Sequence, residues 1–241
     1  MARLPRLLVA GLPHLLSQRA QHGQAIFRDD DDRLELLGLL TEAARREGVA
    51  LHAYGLRDAR FDLVATPPAA PALSAMMQSV ARRHAAAFNR RHGRSGGLWE
   101  GRFRAAVVEP ERWLLDAMVY AERLPSAPAL GVWASRAGHA GAAVAPLVVD
   151  PPPYWALGNT PFEREVVYQS KLEHALTSSQ LAKIEMALRG GWALGSASFA
   201  MALAGPEGRP TSPRQRGRPR GSSLGPIDMS PKNKAIQSGG L

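Results

Sequence analysis

The chain has no cysteine in its 241 residues, which excludes a disulfide framework and any thiolate metal site. Lysine is scarce: Lys171, Lys183, Lys232 and Lys234 are the whole set, so the basic residues are almost all arginine. Aromatic residues make up only 6%. No apolar run approaches the roughly 20 residues that span a bilayer. The first ten residues carry Arg3 and Arg6 and lack the long apolar stretch of a signal peptide. These absences predict a cytoplasmic protein with no membrane partner.

What is present is a hydrophobic fraction of 45%, enough for a packed core, and a net charge of +9 with a pI of about 10.7. Charge of that sign favours polyanions through phosphate contact and counterion release. A GC-rich coding sequence also enriches arginine over lysine, and the abundance of Ala, Gly and Pro fits that origin. The clustering of the arginines therefore says more than their number.

Residues 12–19 read as a short strand. Asp29 to Asp32 supply an N-cap and an acidic first turn, which explains the acidic run more simply than a metal site does. The helix that follows carries Leu34, Leu37, Thr41 and Ala44 on one stripe and ends at Gly48. Strands are expected over 49–56 and 60–66; in the second, Phe61, Leu63 and Ala65 alternate with Arg60, Asp62 and Val64. A helix over 73–91 places Leu73, Met77, Val80, His84, Ala87 and Phe88 inward. A Gly-rich basic loop, His92 to Arg102, leads to a strand over 103–109. Pro110 then opens a helix with Leu114, Met118 and Ala121 inward.

This order predicts an α+β fold with a ferredoxin-like antiparallel sheet flanked by helices over 1–130. Residues 131–153 read as a linker. Helical patterns at 161–175, 179–189 and 196–204 form a small C-terminal appendage over 154–204. Residues 205–241 read as a disordered basic tail.

The motifs in this order resemble the REP-associated tyrosine transposases, a branch of the single-tyrosine HUH transposases. The likeness rests on Gly11-Leu-Pro-His-Leu-Leu-Ser-Gln-Arg19, Phe27-Arg-Asp-Asp-Asp-Asp-Arg33, Ala53-Tyr-Gly-Leu56 and Phe88-Asn-Arg-Arg-His-Gly-Arg94. Gly97-Leu-Trp-Glu-Gly-Arg-Phe103 is its most specific piece, and Tyr120-Ala-Glu-Arg-Leu-Pro125 falls at the catalytic-tyrosine helix. Gly191-Trp-Ala-Leu-Gly-Ser196 and Gly217-Arg-Pro219 carry the likeness to about residue 220. The resemblance implies action on single-stranded DNA with hairpins. A tyrosine would attack a phosphodiester and stay joined to the 5′ phosphate. A divalent ion, Mg²⁺ or Mn²⁺, held by a His-x-His pair on a strand would polarise that phosphate.

The chain departs from the pattern where the metal belongs. The family's Leu-Met-Pro-Asn-His-x-His-Leu is here Leu56-Arg-Asp-Ala-Arg-Phe-Asp-Leu63, so Arg60 and Asp62 stand at the histidine positions. Asp62 has an oxygen for Mg²⁺ or Mn²⁺. Arg60 has no lone pair to give and repels a cation. Tyr120 is the nucleophile if the chain is active; otherwise it is an aromatic packed beside Trp113. His14, on the first strand, is the one histidine placed to approach Asp62 as a substitute ligand.

The features for DNA contact are Arg82, Arg83, Arg90, Arg91, Arg94, Arg102 and Arg104, interleaved with Phe88, Trp99 and Phe103, as in grooves that hold single strands. The aromatics are also core candidates. The tail run Arg214 to Gly221, with Arg216, Arg218 and Arg220, resembles an AT-hook for the minor groove of A/T-rich DNA. Three readings remain: a DNA-binding transposase relative with impaired or lost tyrosine-nuclease activity, an active metal-dependent transposase using Asp62 and another ligand, and a non-enzymatic DNA-binding regulator of repeat elements. Nucleoid association is expected, and the sequence leaves the oligomeric state open.

Overall fold

The computed structural model describes residues 5–123, 133–142, 146–204 and 210–213. Four strands, β1 (His14–Arg19), β2 (Ala50–Arg57), β3 (Arg60–Thr66) and β4 (Arg104–Val107), form one sheet. Its order is β2-β3-β1-β4, with every neighbouring pair antiparallel. Helices α1 (Asp30–Glu47) and α2 (Ala70–Arg91) connect β1 to β2 and β3 to β4. This is the expected α+β architecture, with the ferredoxin-like order of elements. Helix α3 (Pro110–Glu122) follows β4, and then come the short α4 (Arg136–His139), α5 (Pro152–Trp155), α6 (Pro161–His174), α7 (Ser178–Gly190) and α8 (Ala197–Ala202).

The caps foreseen from sequence form. The Asp29 side chain accepts from the Asp32 amide, and Gly48 closes α1 in the left-handed region at φ 65°. Helices α6 and α7 each open with a capping box, on Thr160 and Thr177.

The sheet is covered on both faces. On one face α1 and α2 bury Leu36, Leu40, Leu73, Met76 and Phe88 against Leu16, Leu51, Phe61 and Leu63. On the other, α3 and the later helices bury Met118, Tyr168, Ile184 and Leu188 against Leu15, Ala53, Val64 and Ala106. The stripe expected on α1 is rotated. Leu34 is 57% exposed, while Ala44 of that stripe is buried together with Leu36, Leu39, Leu40 and Ala43, and Leu37 packs partly against the core. Two overlapping stripes share the period, and the one with three leucines buries more apolar area. Thr41, on the expected stripe, is exposed and donates to the Leu37 carbonyl at 2.8 Å.

The later segments are joined closely to the sheet. Ala134 bridges Gly55 at the free edge of β2, and Leu194 bridges Val108 just beyond β4 in parallel. Glu109 accepts from the Ser196 amide at 2.7 Å and its hydroxyl at 2.9 Å, tying the start of α8 to the start of α3. Among the described residues, no helix is long and apolar enough to cross a membrane.

Candidate nucleic-acid interface

The β2–β3 turn is two residues long, Asp58 and Ala59, so Arg57 stands directly opposite Arg60. Arg60 in turn stands opposite Arg19 on β1. Directly opposed residues point to the same face, so three guanidiniums form a row across three strands. The next row on that face runs Gly55, Asp62, Ser17 and Arg104. Like charges directly opposite one another repel, and Asp62 is the one carboxylate in these two rows.

Helix α3 lies directly over them. At Gly55 a Cβ would fall 2.0 Å from the Ala121 carbonyl oxygen, so only glycine lets the helix backbone approach β2 this closely. The approach sets Tyr120, 3% exposed, above the arginine row. The Arg60 and Arg57 guanidinium carbons lie 5.8 and 6.0 Å from its ring centroid, within cation–π range.

Asp62 is fully buried and engaged from two sides. Arg57 donates to its Oδ2, and Arg60 Nε lies 3.2 Å from the same atom. Arg57 also donates to the Tyr120 carbonyl at 3.0 Å and to the Arg123 carbonyl. One guanidinium thus joins the carboxylate to the carbonyl end of α3, where a cation is favoured by the helix dipole. Burial, then the Asp62 charge, raises the Tyr120 pKa above that of an ordinary phenol. Burial lowers the Arg57 pKa. For Arg60 burial again opposes the charge, yet Asp62 and Tyr120 raise its pKa overall.

Tyr120, Arg60 and Asp62 are therefore brought together, and His14 is not. His14 pairs with Ala65, three residues along β3 from Asp62 and about 10 Å away, on the sheet's other face. Its Nδ1 bonds the Leu12 carbonyl at 2.8 Å and its Nε2 accepts from the Val9 amide at 3.1 Å. Both nitrogens are used. Burial pushes its pKa down to about 4, so it is a neutral, structural histidine.

A divalent cation at Asp62 would meet two permanent positive charges on the carboxylate it needs. The residues present do not fit such an ion. The group of described residues with metal-ligand spacing lies elsewhere: Asp29, Asp32 and His92, between the start of α1 and the end of α2. Arg91 bonds Asp29 at 2.5 Å and both Asp32 and Asp31 at 2.7 Å, and His92 contacts Asp32 at 2.9 Å. The acidic run is thus a helix start and an ion-pair staple.

The candidate DNA-contact arginines separate by face. Arg82, Arg83, Arg90 and Arg91 lie on α2, on the face away from Tyr120. Arg83 pairs with Glu42 at 2.7 Å and Arg91 with the aspartates, while Arg82 and Arg90 are exposed with no acidic partner among the described residues. Arg94 donates to Gln24 and lies 5.5 Å from the Phe88 ring. Arg102 and Arg104 line a groove of about 400 Å³ between the β1–β4 side of the sheet and the end of α7. The aromatics offered as stacking platforms are occupied. Phe88 is core, Trp99 bonds the Ala81 carbonyl at 2.8 Å, and Arg6 covers Phe103 at 3.7 Å. Arg216, Arg218, Arg220 and Leu124 lie outside the described residues.

Arg57, Arg19, Arg6 and Arg189 are the site residues that sequence reading missed. Arg57 and Arg19 follow from strand register: a two-residue hairpin places i and i+3 opposite each other. Arg6 and Arg189 come from segments far apart in the chain, and no local signal points to them.

No protein-family model matches the chain, and no curated protein matches it. Among solved structures it is similar to a REP-associated tyrosine transposase bound to a REP hairpin. That likeness has 10% identity and a TM-score of 0.46, covering 64% of this chain and 93% of the other. It is also similar to a candidate transposase from Deinococcus radiodurans R1, at 21% identity and a TM-score of 0.35, covering 46% of this chain and 88% of that one.

Proposed function

We propose that this protein grips the phosphate backbone of single-stranded or hairpin DNA and does not cut it. The observation that carries this reading is the Arg57–Arg60–Arg19 row with Asp62 as its one carboxylate. Three opposed guanidiniums with one counter-charge leave a net positive site that an anion satisfies, and arginine's planar fork matches phosphate oxygens. The net charge of +9 adds a general attraction to polyanions.

Cleavage needs an activated nucleophile. Here the hydroxyl of Tyr120 is buried, its pKa is raised, and Arg57 and Arg60 both hold Oδ2 of the carboxylate beneath it. A neutral phenol held beside two guanidiniums can donate a hydrogen bond to a phosphate, but it is a poor attacking group.

The test incubates the full chain with labelled hairpin-bearing single-stranded DNA, with and without Mn²⁺ or Mg²⁺. Binding at low salt that weakens steeply as salt rises, without a covalent adduct on a denaturing gel, is the expected outcome. A metal-dependent adduct that disappears in Tyr120→Phe would overturn the non-cutting half. Absence of binding at low salt would overturn the whole reading.

A further inference from the structure

The groove beside the arginine row is built by parts of the chain that the sequence presents as separate. Its floor is β1 and β4, with Ser17, Arg19 and Arg104; Arg6 and Arg102 stand at its sides; and Arg189, in the last turn of α7, comes from the opposite wall. Five guanidiniums face one carboxylate, Glu100, which pairs with Arg104 at 3.1 Å. Arg102 and Arg189 are exposed and have no partner among the described residues. Ser17 is 1% exposed, and its hydroxyl and the buried Arg19 Nε have no hydrogen-bond partner among the described residues. Buried polar groups without partners are uncommon; here they line a cleft crowded with one sign of charge.

We propose that this groove is the track for a short run of phosphodiesters of one strand, and that α7 is part of the binding unit, holding the backbone through Arg189 against Arg19 and Arg104. The proposal rests on the DNA-binding reading above and assigns its path. A groove between a sheet and a helix admits one strand and not a duplex, whose two backbones lie far apart. The one aromatic ring in the lining, Phe103, is covered by Arg6, so no face is open for a base to stack on. Recognition there is through the backbone and tolerates any base sequence. Gly191 turns the chain out of α7 in the left-handed region at φ 64°, a conformation that favours glycine.

The experiment measures fluorescence anisotropy of the full chain with labelled single-stranded oligonucleotides of two unrelated sequences, over a series of salt concentrations. Arg189→Gln and Arg19→Gln are compared with Arg45→Gln, an exposed residue of α1 on the far face of the sheet. Each groove variant is expected to weaken binding roughly 3- to 10-fold on both sequences and to flatten the log–log salt slope by about 0.7, with Arg45→Gln unchanged. Circular dichroism melts that match the parent confirm that the variants are folded; Arg189 is exposed and its replacement disturbs no core. Parent binding with a steep salt slope that both groove variants retain would overturn this path while leaving the DNA-binding reading intact. Loss of parent binding would remove both. A second arm titrates inorganic phosphate alone. Phosphate binding that depends on Arg19 and Arg189, without oligonucleotide binding, would make the groove a small-anion pocket and overturn the proposal.

Discussion

Asp62 is a carboxylate without solvent, and Arg57 and Arg60 carry the charges that make its burial tolerable. Removing one partner of a buried ion pair leaves the others uncompensated, which costs more than the pair itself is worth. Asp62→Asn is therefore expected to destabilise the fold by on the order of 3 kcal/mol in urea melts, because it leaves Arg57 and Arg60 opposed with no counter-charge. Equal stability of the variant would mean that the arginines already reach solvent or a neighbouring acid. The arginines on α2 invite a second comparison. Arg90 is exposed and has no acidic partner among the described residues, whereas Arg91 is held by Asp29, Asp31 and Asp32. If the α2 face adds to DNA attraction, Arg90→Gln lowers affinity and the salt slope, while Arg91→Gln leaves both near the parent values. A larger loss in Arg91→Gln would show that the staple opens for DNA.

At the scale of elements, α3 is held at both ends. Its start shares Glu109 with Ser196, and its last residue, Glu122, is fully buried yet satisfied. Glu122 accepts from Ser135 at 2.5 Å, from His139 at 2.6 Å and from the Tyr168 hydroxyl at 2.6 Å. These donors come from the segment after α3, from α4 and from α6, so one carboxylate joins three parts of the chain two residues from Tyr120. Tyr168→Phe keeps the ring and removes one donor. It is expected to cost about 1–3 kcal/mol, read as a lower midpoint in thermal melts. The same node has a pH dependence. Burial opposes the charged form of His139, but Glu122 raises its pKa above the ordinary histidine value. Its contribution is full below about pH 6.5 and fades as pH rises through the higher folded-state value. A melting temperature that rises steadily above neutral pH would contradict this.

For the whole molecule, acid stability follows from buried neutral histidines. The folded-state pKa of His14 is about 4, against 6.5 for the unfolded chain. The unfolded chain therefore takes up the proton first, and stability falls as pH drops from about 6.5 toward 4, by about 3 kcal/mol in total. His52, its pKa also lowered by burial, adds in the same direction. His14→Asn is expected to flatten this acid-side slope in urea titrations at successive pH values; an unchanged slope would assign the acid loss to other groups.

The amino-acid sequence by itself determined the element order, the helix ends at Asp29 and Gly48, and the alternation that puts Arg60 and Asp62 on one face of β3 with Phe61 on the other. These are local: caps act within a turn, and strand alternation has a period of two residues. The sequence also carried the placing of an arginine and an aspartate, Arg60 and Asp62, on that face, because that is a matter of residue identity. The tertiary structure alone decided how far each of the overlapping stripes on α1 is buried, and that His14 faces away from Asp62. It alone brought Arg6, Arg19, Arg104 and Arg189 to one groove. Those outcomes depend on register, on which face of the sheet each helix covers, and on contacts between residues far apart in the chain. No local rule carries that information, because side chains separated by most of the chain meet only when the sheet and both of its helical layers close together.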